Sequence, residues 1–209
     1  MKIAKEGYPL ILAAAILAAA AFVMGWLLPG AFLGLLTLAI AAFFRDPDRM
    51  IPEGEGLIVS PADGKVVSIA HVQDPAVMPS ADTRISIFLS PLDVHINRMP
   101  VSGLIEDVQY RAGKFMAAYK DDATADNERN AVHILERDGK RLAVAQVAGV
   151  LARRIVCRVK RGDRLKRGDR FGLIMFGSRT DTYLPPGCRV EVVEGQRVKG
   201  GETILGRFV

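Results

Sequence analysis

The sequence predicts a mainly β protein, an antiparallel β domain preceded by an N-terminal transmembrane helical hairpin. Two observations predict this class. No charged residue lies between Glu6 and Arg45, and this stretch is rich in Ala, Leu and Ile. After it, apolar residues alternate or form short runs bounded by Gly, Pro and Asp, which is typical of strands. The chain of 209 residues is therefore divided into a membrane anchor, residues 1–44, and a folded body, residues 45–209.

The apolar stretch is long enough to cross a membrane twice. As a helix it would measure roughly 57 Å at 1.5 Å per residue, close to two crossings of a ~30 Å hydrocarbon core. Leu28-Pro29-Gly30 predicts a break between helices over 10–27 and 31–44. A hairpin would place both basic flanks, and the body, on the cytoplasmic side of the cell (inner) membrane. One span with an interfacial second helix is an alternative, and a cleaved signal peptide is another.

In the body, the apolar pattern predicts nine strands and one short helix. The helix is predicted over 114–120. The strands are predicted over 57–59, 65–70, 84–89, 103–110, 131–136, 141–150, 155–159, 171–176 and 189–193.

An internal repeat indicates the arrangement of these strands. The segment 162–169, Gly-Asp-Arg-Leu-Lys-Arg-Gly-Asp, is matched by 195–202, Gly-Gln-Arg-Val-Lys-Gly-Gly-Glu. A Gly-x-x-apolar-x-x-Gly pattern makes successive turns between short strands, as in hammerhead domains that resemble biotinyl and lipoyl carriers. The interval contains Gly177 and Ser178 instead of a carrier's modifiable lysine, so we expect the repeat to hold that serine on a tight turn.

Charge and cysteine usage limit the partners. The net charge is +5, and the basic residues are dense between Arg153 and Arg170, which beside a membrane anchor favours anionic phospholipid headgroups. A solvated face without a partner is the alternative. Nucleic acid is disfavoured because aromatic residues are sparse there. The two cysteines, Cys157 and Cys188, form neither a disulfide framework nor a metal-ligand pattern, so we predict reduced thiols and no metal.

The dipeptide Gly177-Ser178 matters because a Gly-Ser bond can be a site of self-cleavage. Alone it carries little information, but it occurs with the apolar N-terminus, with Ser60-Pro61-Ala62-Asp63-Gly64, and with the segment 91–100, Pro-Leu-Asp-Val-His-Ile-Asn-Arg-Met-Pro. With these motifs in this order, the chain resembles the phosphatidylserine decarboxylases, specifically their short form. The likeness runs from about Phe43 to the end.

The resemblance implies a self-processing, pyruvoyl-dependent enzyme. The hydroxyl of Ser178 would attack the carbonyl carbon of Gly177, and β-elimination would then divide the chain into residues 1–177 (β chain) and 178–209 (α chain), which stay associated. The serine becomes a covalent pyruvoyl group that forms a Schiff base with a substrate amine and accepts electrons when carbon dioxide leaves. The implied substrate is phosphatidylserine, and the implied product is phosphatidylethanolamine. A homodimer is left open.

A weak serine nucleophile needs a base. Of the three histidines, His95 lies in the segment that matches the family, whereas His71 and His133 are interpreted as structural. Asp63 could orient His95, as in a Ser-His-Asp arrangement, or simply form a turn before the glycine that follows it.

Two departures from the longer bacterial and mitochondrial members concern the site. They carry a second histidine where this chain has Arg98, and they read Leu-Gly-Ser-Thr where this chain reads Phe-Gly-Ser-Arg. His95 could therefore serve both cleavage and decarboxylation, or Asp63 and water could share the work. Arg98 and Arg179 are candidates for binding the substrate's carboxylate or phosphate, with surface salt bridging as the alternative.

Three other functions are compatible with these patterns. The pyruvoyl chemistry could act on a different serine lipid. The chain could instead be a membrane-anchored hammerhead binding module that stays uncleaved. A membrane-bound serine hydrolase is the third, although the chain lacks a Gly-x-Ser-x-Gly elbow.

Overall fold

The computed structural model describes residues 2–72, 77–114, 127–149, 154–175 and 178–209. Within them the chain forms two compact units, Met1–Asp48 and Arg49–Val209. The predicted helix over 114–120 falls almost wholly outside the described residues.

The first unit is a helical hairpin. A short strand β1 (Lys2–Ile3) and a 3-10 turn (Lys5–Gly7) lead into α1 (Tyr8–Val23), which is followed by α2 (Leu27–Phe43). Strand β2 (Arg45–Asp46) pairs antiparallel with β1, so the two ends of the unit meet. One described helical segment, Lys5–Val23, is long and apolar enough to cross a membrane, whereas α2 is shorter.

The break between the helices lies earlier than predicted. Gly25 has φ 77°, and its N–H bonds the carbonyl of Phe22 at 3.0 Å, so the chain turns there. Pro29 instead lies in the first turn of α2. A proline is tolerated at this position because the first N–H groups of a helix have no partner inside it.

The second unit consists of three antiparallel sheets. The larger sheet has eight strands in the order β11-β7-β8-β9-β13-β5-β4-β15, and two three-stranded sheets have the orders β10-β12-β6 and β14-β16-β3. The strands are β3 (Leu57–Val59), β4 (Gly64–His71), β5 (Thr83–Leu89), β6 (Ile96–Arg98), β7 (Gly103–Arg111), β8 (Arg129–Glu136), β9 (Arg141–Val147), β10 (Arg154–Cys157), β11 (Arg164–Leu165), β12 (Arg170–Met175), β13 (Ser178–Leu184), β14 (Cys188–Val190), β15 (Arg197–Val198) and β16 (Ile204–Phe208).

The prediction of a mainly β, antiparallel body is confirmed. Each predicted strand overlaps an observed one, but β6, β11, β13, β15 and β16 were not among the predicted strands. The hammerhead or lipoyl-like relationship stays a prediction.

The repeat forms two equivalent edges of the eight-stranded sheet. Gly162 and Gly195 both have positive φ, 94° and 86°, and each donates its N–H to a strand of that sheet, to Ile105 at 2.9 Å and to Val66 at 2.8 Å. The strands that follow, β11 and β15, pair with β7 and β4 at opposite ends of the sheet. The repeat therefore frames the sheet at both edges, with β13 near its centre.

Apolar side chains cover both faces of the eight-stranded sheet. One cluster includes Ile87, Val144 and Leu184, and the other includes Ala145, Val147 and Tyr183. Because successive residues of a strand point to opposite faces, Leu184 and Tyr183 at the end of β13 belong to different clusters. Strand β13 is therefore buried on both faces, and every one of its residues is buried.

Candidate active site

Ser178 is the first residue of β13, a central strand of the eight-stranded sheet. It pairs with Leu89 of β5. The residue is 0% exposed, and within the described part of the chain its Oγ has no hydrogen-bond partner. Buried hydroxyl groups are normally hydrogen-bonded, and those of Ser86 and Thr182 are likewise without a partner among the described residues. The predicted tight turn at Phe176 and Gly177 lies outside the described residues, and Ser178 itself is in a strand.

His95 lies directly before β6, which pairs with the strand leading to Ser178. In that pairing Ile96 is opposite Leu173 of β12, and the carbonyl of His95 accepts a hydrogen bond from the N–H of Ile174 at 3.3 Å. Only four residue steps separate Ile174 from Ser178, at most about 15 Å between Cα atoms. The structure therefore places His95 and Ser178 in the same region of the second unit, and the role of His95 as the base stays a prediction.

The ring of His95 is buried and oriented by the backbone. It is 2% exposed, and its Nδ1 lies 2.9 Å from the carbonyl oxygen of Asp93. A carbonyl oxygen can only accept, so Nδ1 carries a proton, and in the neutral ring Nε2 then holds the lone pair. In this tautomer Nε2 can act as a base.

Asp63 is held by groups other than a histidine. Its Oδ2 accepts a hydrogen bond from Nη2 of Arg49 at 2.7 Å, and its Oδ1 accepts one from the N–H of Gly200 at 2.8 Å. Nη1 of Arg49 also lies 3.7 Å from Glu202. These partners come from distant parts of the sequence, which pattern reasoning could not connect. Orientation of His95 by Asp63 stays a prediction.

Both candidate arginines are buried and bind protein groups. Arg98 is 4% exposed, and its Nη1 donates to the carbonyl of Gly168 at 3.0 Å. Arg179 contacts Asp181 through two nitrogens, at 2.9 Å from Nε and at 3.0 Å from Nη2, and these two side chains are 1% and 0% exposed. Neither arginine therefore forms the surface salt bridge considered above, and substrate binding by them stays a prediction.

The other two histidines lie elsewhere on the large sheet. His71 ends β4 and is exposed, 3.5 Å from Asp82. His133 is in β8, and burial lowers its pKa from the ordinary value. Among the described residues, no group of His, Cys, Asp and Glu side chains could hold a metal ion.

A buried polar cluster next to Ser178 and His95 was not predicted. It contains two asparagines, a glutamine and a threonine from four strands: Asn97, Asn130, Gln146 and Thr180. Asn97 lies two residues after His95, and Thr180 lies two residues after Ser178. The available signal was weak: His95 and Asn97 alternate with an apolar residue, whereas 178–180 is polar throughout. Only the fold shows that the two segments meet.

The described site thus consists of a buried serine hydroxyl at the start of a central strand and a buried histidine whose Nδ1 is bonded to a backbone carbonyl. Comparisons with known proteins identify the kind of enzyme. The family model described as phosphatidylserine decarboxylase matches residues 36–206.

Curated relatives match over nearly the whole chain. A phosphatidylserine decarboxylase proenzyme of Symbiobacterium thermophilum is 48% identical over 206 residues, which cover 99% of this chain and 95% of the relative. A proenzyme of the same name from Gluconobacter oxydans is 49% identical over 187 residues, covering 86% and 83%. The proenzyme of Nitrosomonas eutropha is 44% identical over 209 residues, covering 99% and 95%. The chain therefore belongs to the phosphatidylserine decarboxylase family, a family of carboxy-lyases.

Proposed function

We propose that this protein converts phosphatidylserine to phosphatidylethanolamine and carbon dioxide through a pyruvoyl group made from Ser178. One observation carries the proposal beyond family membership. The hydroxyl at this position is fully buried, and it has no hydrogen-bond partner among the described residues. The hydroxyls of Ser86 and Thr182 are in the same state, so the position of Ser178 directly after Gly177 is what suits this hydroxyl to self-cleavage. The word proenzyme in the relatives' names fits a chain that is processed.

The surroundings of residue 178 fit a pyruvoyl group. Such a group supplies a keto carbonyl that condenses with a substrate amine and withdraws electrons as carbon dioxide leaves. Residue 178 is fully buried beside Leu89 of β5, which excludes bulk water. The backbone pairing of β13 fixes the direction in which this residue faces.

His95 would move the protons. With Nδ1 committed to the carbonyl of Asp93, Nε2 can accept the proton of the Ser178 hydroxyl during self-cleavage. The same nitrogen, once protonated, can return a proton to the substrate carbon after carbon dioxide has left. Asp63 would contribute at a distance, through the loop that its bonds to Arg49 and Gly200 stabilise.

A membrane is the natural source of the lipid substrate. The helix Lys5–Val23 can cross a membrane by length and composition, and its exposed side chains include Leu12, Ile16 and Leu17. The second unit adds exposed cations that suit anionic headgroups: Arg154, Lys160, Arg161, Arg164 and Lys166. We propose attachment to the inner membrane with the body facing the cytoplasm.

The proposal is tested by weighing the purified full-length protein under denaturing conditions and by assaying it on vesicles that contain phosphatidylserine. We expect two fragments, residues 1–177 and 178–209, with a pyruvoyl group at the start of the smaller one, and release of carbon dioxide.

Ser178→Ala should give one uncut, inactive chain, and His95→Gln should slow cleavage strongly. His71→Gln is the matched control, because His71 is exposed and distant in sequence from the site, and it should behave as wild type. An active protein consisting of one uncut chain would refute the mechanism.

A further inference from the structure

The four polar residues beside the site form one continuous chain of hydrogen bonds, which we call the amide cluster: Asn97, Asn130, Gln146 and Thr180. Nδ2 of Asn130 donates to Oε1 of Gln146 at 3.0 Å. Nε2 of Gln146 donates to Oδ1 of Asn97 at 2.8 Å. Nδ2 of Asn97 donates to Oγ1 of Thr180 at 3.4 Å. Their exposed fractions are 0–3%, so water does not compete for these bonds.

The amide cluster joins two sheets. Thr180, Gln146 and Asn130 are in register on β13, β9 and β8, and they form one row across the eight-stranded sheet. Asn97 comes from β6 of the sheet β10-β12-β6. Gln146 also donates to the carbonyl of Val156 in β10 at 3.3 Å. At this point the two sheets are therefore joined by hydrogen bonds, which have a defined direction, and not only by apolar packing.

The next row of residues across the same three strands shows that packing on this face of the sheet does not require amide side chains. In that row Thr182 of β13 is opposite Val144 of β9, which is opposite Val132 of β8. The hydroxyl of Thr182 is buried and has no hydrogen-bond partner within the described residues. Apolar packing is therefore sufficient for that row. Buried amides are tolerated only when they are hydrogen-bonded, and a fully bonded network favours one relative position of its members. The amide cluster therefore fixes how β6 lies against β13.

We propose that Asn97 and Gln146 are positioning residues that keep His95 aligned with residue 178 after the chain has been cut. His95 and Asn97 are two residues apart at β6, and Ser178 and Thr180 are two residues apart on β13, so each pair shares one face of its strand. Holding Asn97 against Thr180 thus holds His95 relative to residue 178. This inference rests on the proposed function.

The amide cluster should matter more for decarboxylation by the cut enzyme than for self-cleavage of the uncut chain. Before cleavage, the backbone through 176 and 177 connects β12 to β13, and β12 is paired with β6. After cleavage this covalent connection is lost. The alignment then depends on the noncovalent contacts between the sheets and on the uncut segment 90–95, which joins β6 to β5 next to Leu89, the residue paired with Ser178. Loss of the amide cluster should therefore reduce the turnover of the cut enzyme more than the rate of self-cleavage.

The test uses full-length protein in detergent and the double variant Asn97→Leu/Gln146→Leu, which makes both partners apolar and so leaves fewer buried amides unbonded. The self-cleavage rate is followed by denaturing electrophoresis of freshly synthesised chain. The kcat and KM of fully cut protein are then measured on phosphatidylserine in mixed micelles. Since a misplacement of about 1 Å can cost on the order of 10²-fold in rate, we expect kcat to fall about 10- to 100-fold. KM and the self-cleavage rate should change by less than about threefold.

Thr182→Val is the matched control, because it removes a buried hydroxyl from the same face of β13 without removing a hydrogen bond to a described residue. It should leave both rates unchanged.

If the double variant lost cleavage and turnover by the same factor, or kept the wild-type kcat, the inference would be wrong. If the double variant does not fold, Asn97→Asp, which retains the acceptor for Gln146, is measured in its place, and equal losses in both rates would again overturn the inference. A wild-type protein that neither cuts itself nor releases carbon dioxide would refute the proposed function itself, which distinguishes the two failures.

Discussion

The buried ion pair between Arg179 and Asp181 offers a sharp test of what stabilises β13. The two side chains are 1% and 0% exposed and meet at 2.9 Å. They point to the face of the sheet opposite Ser178. Arg179→Met would leave the carboxylate of Asp181 buried without its arginine, which costs about 3–5 kcal/mol when one partner of a buried pair is removed. At roughly 2–4 °C per kcal/mol for a unit of this size, the melting temperature should fall by about 6–20 °C.

The measurement is thermal unfolding by near-UV circular dichroism in detergent. All variants carry Ser178→Ala, so that every sample has the same covalent form. The matched control is Arg141→Met, because Arg141 contacts Glu106 through two nitrogens at 2.8 and 3.0 Å but is exposed. Its loss should change the melting temperature little, since solvent screens such pairs.

The double variant Arg179→Met/Asp181→Leu separates the cost of an unpaired charge from the value of the pair. It should recover most of the lost stability, because apolar residues of similar volume can replace a buried ion pair. If Arg179→Met melted at the same temperature as Arg141→Met, the reasoning about burial would be refuted.

Three further predictions concern the rest of the body. Burial lowers the pKa of His133, so below about pH 6.5 the unfolded chain binds a proton more readily than the folded chain does. The stability should therefore fall as the pH drops below about 6.5 and level off below the folded-state pKa. His133→Gln should flatten this part of a plot of melting temperature against pH. Burial raises the pKa of Cys188 to about 11, so in a Cys157→Ser protein at pH 8 the remaining thiol should react with iodoacetamide only after denaturation; rapid reaction of the folded protein would contradict this. A Cβ at Gly172 would lie 2.3 Å from the carbonyl oxygen of Val156, so Gly172→Ala should separate β10 from β12 and lower the melting temperature, and an unchanged value would show that the backbone can adjust.

The strands that could be predicted are those whose local sequence shows which residues are buried. Leu57–Val59 is a short apolar run, and the run 84–89 alternates in the way that a strand does. Strand β13 could not be predicted in this way, since Ser-Arg-Thr-Asp-Thr is polar throughout. Thr180 is satisfied by a residue far away in the sequence, Asn97, whereas Arg179 and Asp181 pair with each other. Partners that are far apart in sequence leave no local pattern.

The same limit applies to the site. Ser178 and His95 could be selected because their motifs resemble those of a family, and the pairing of β6 with β12 brings them into one region. The partners of Asp63 could not be foreseen, because Arg49 and Gly200 lie at the start of the body and near the end of the chain. The helix break was misplaced for a local reason, since Gly25 was a sufficient turn and Pro29 suited the start of the next helix.

The strand order explains how a protein could cut its own backbone at residue 178 without losing the smaller piece. Residues 178–209 contribute the four strands β13 to β16. Three of them pair with strands from before the cut: β13 with β5 and β9, β15 with β4, and β16 with β3. Strand β13 is bonded on both sides and buried on both faces, so leaving the sheet would expose its whole backbone and the Arg179–Asp181 pair. The proposed cleavage at the start of a central strand would therefore create a new chain end inside the protein while the sheet retains the fragment that bears it.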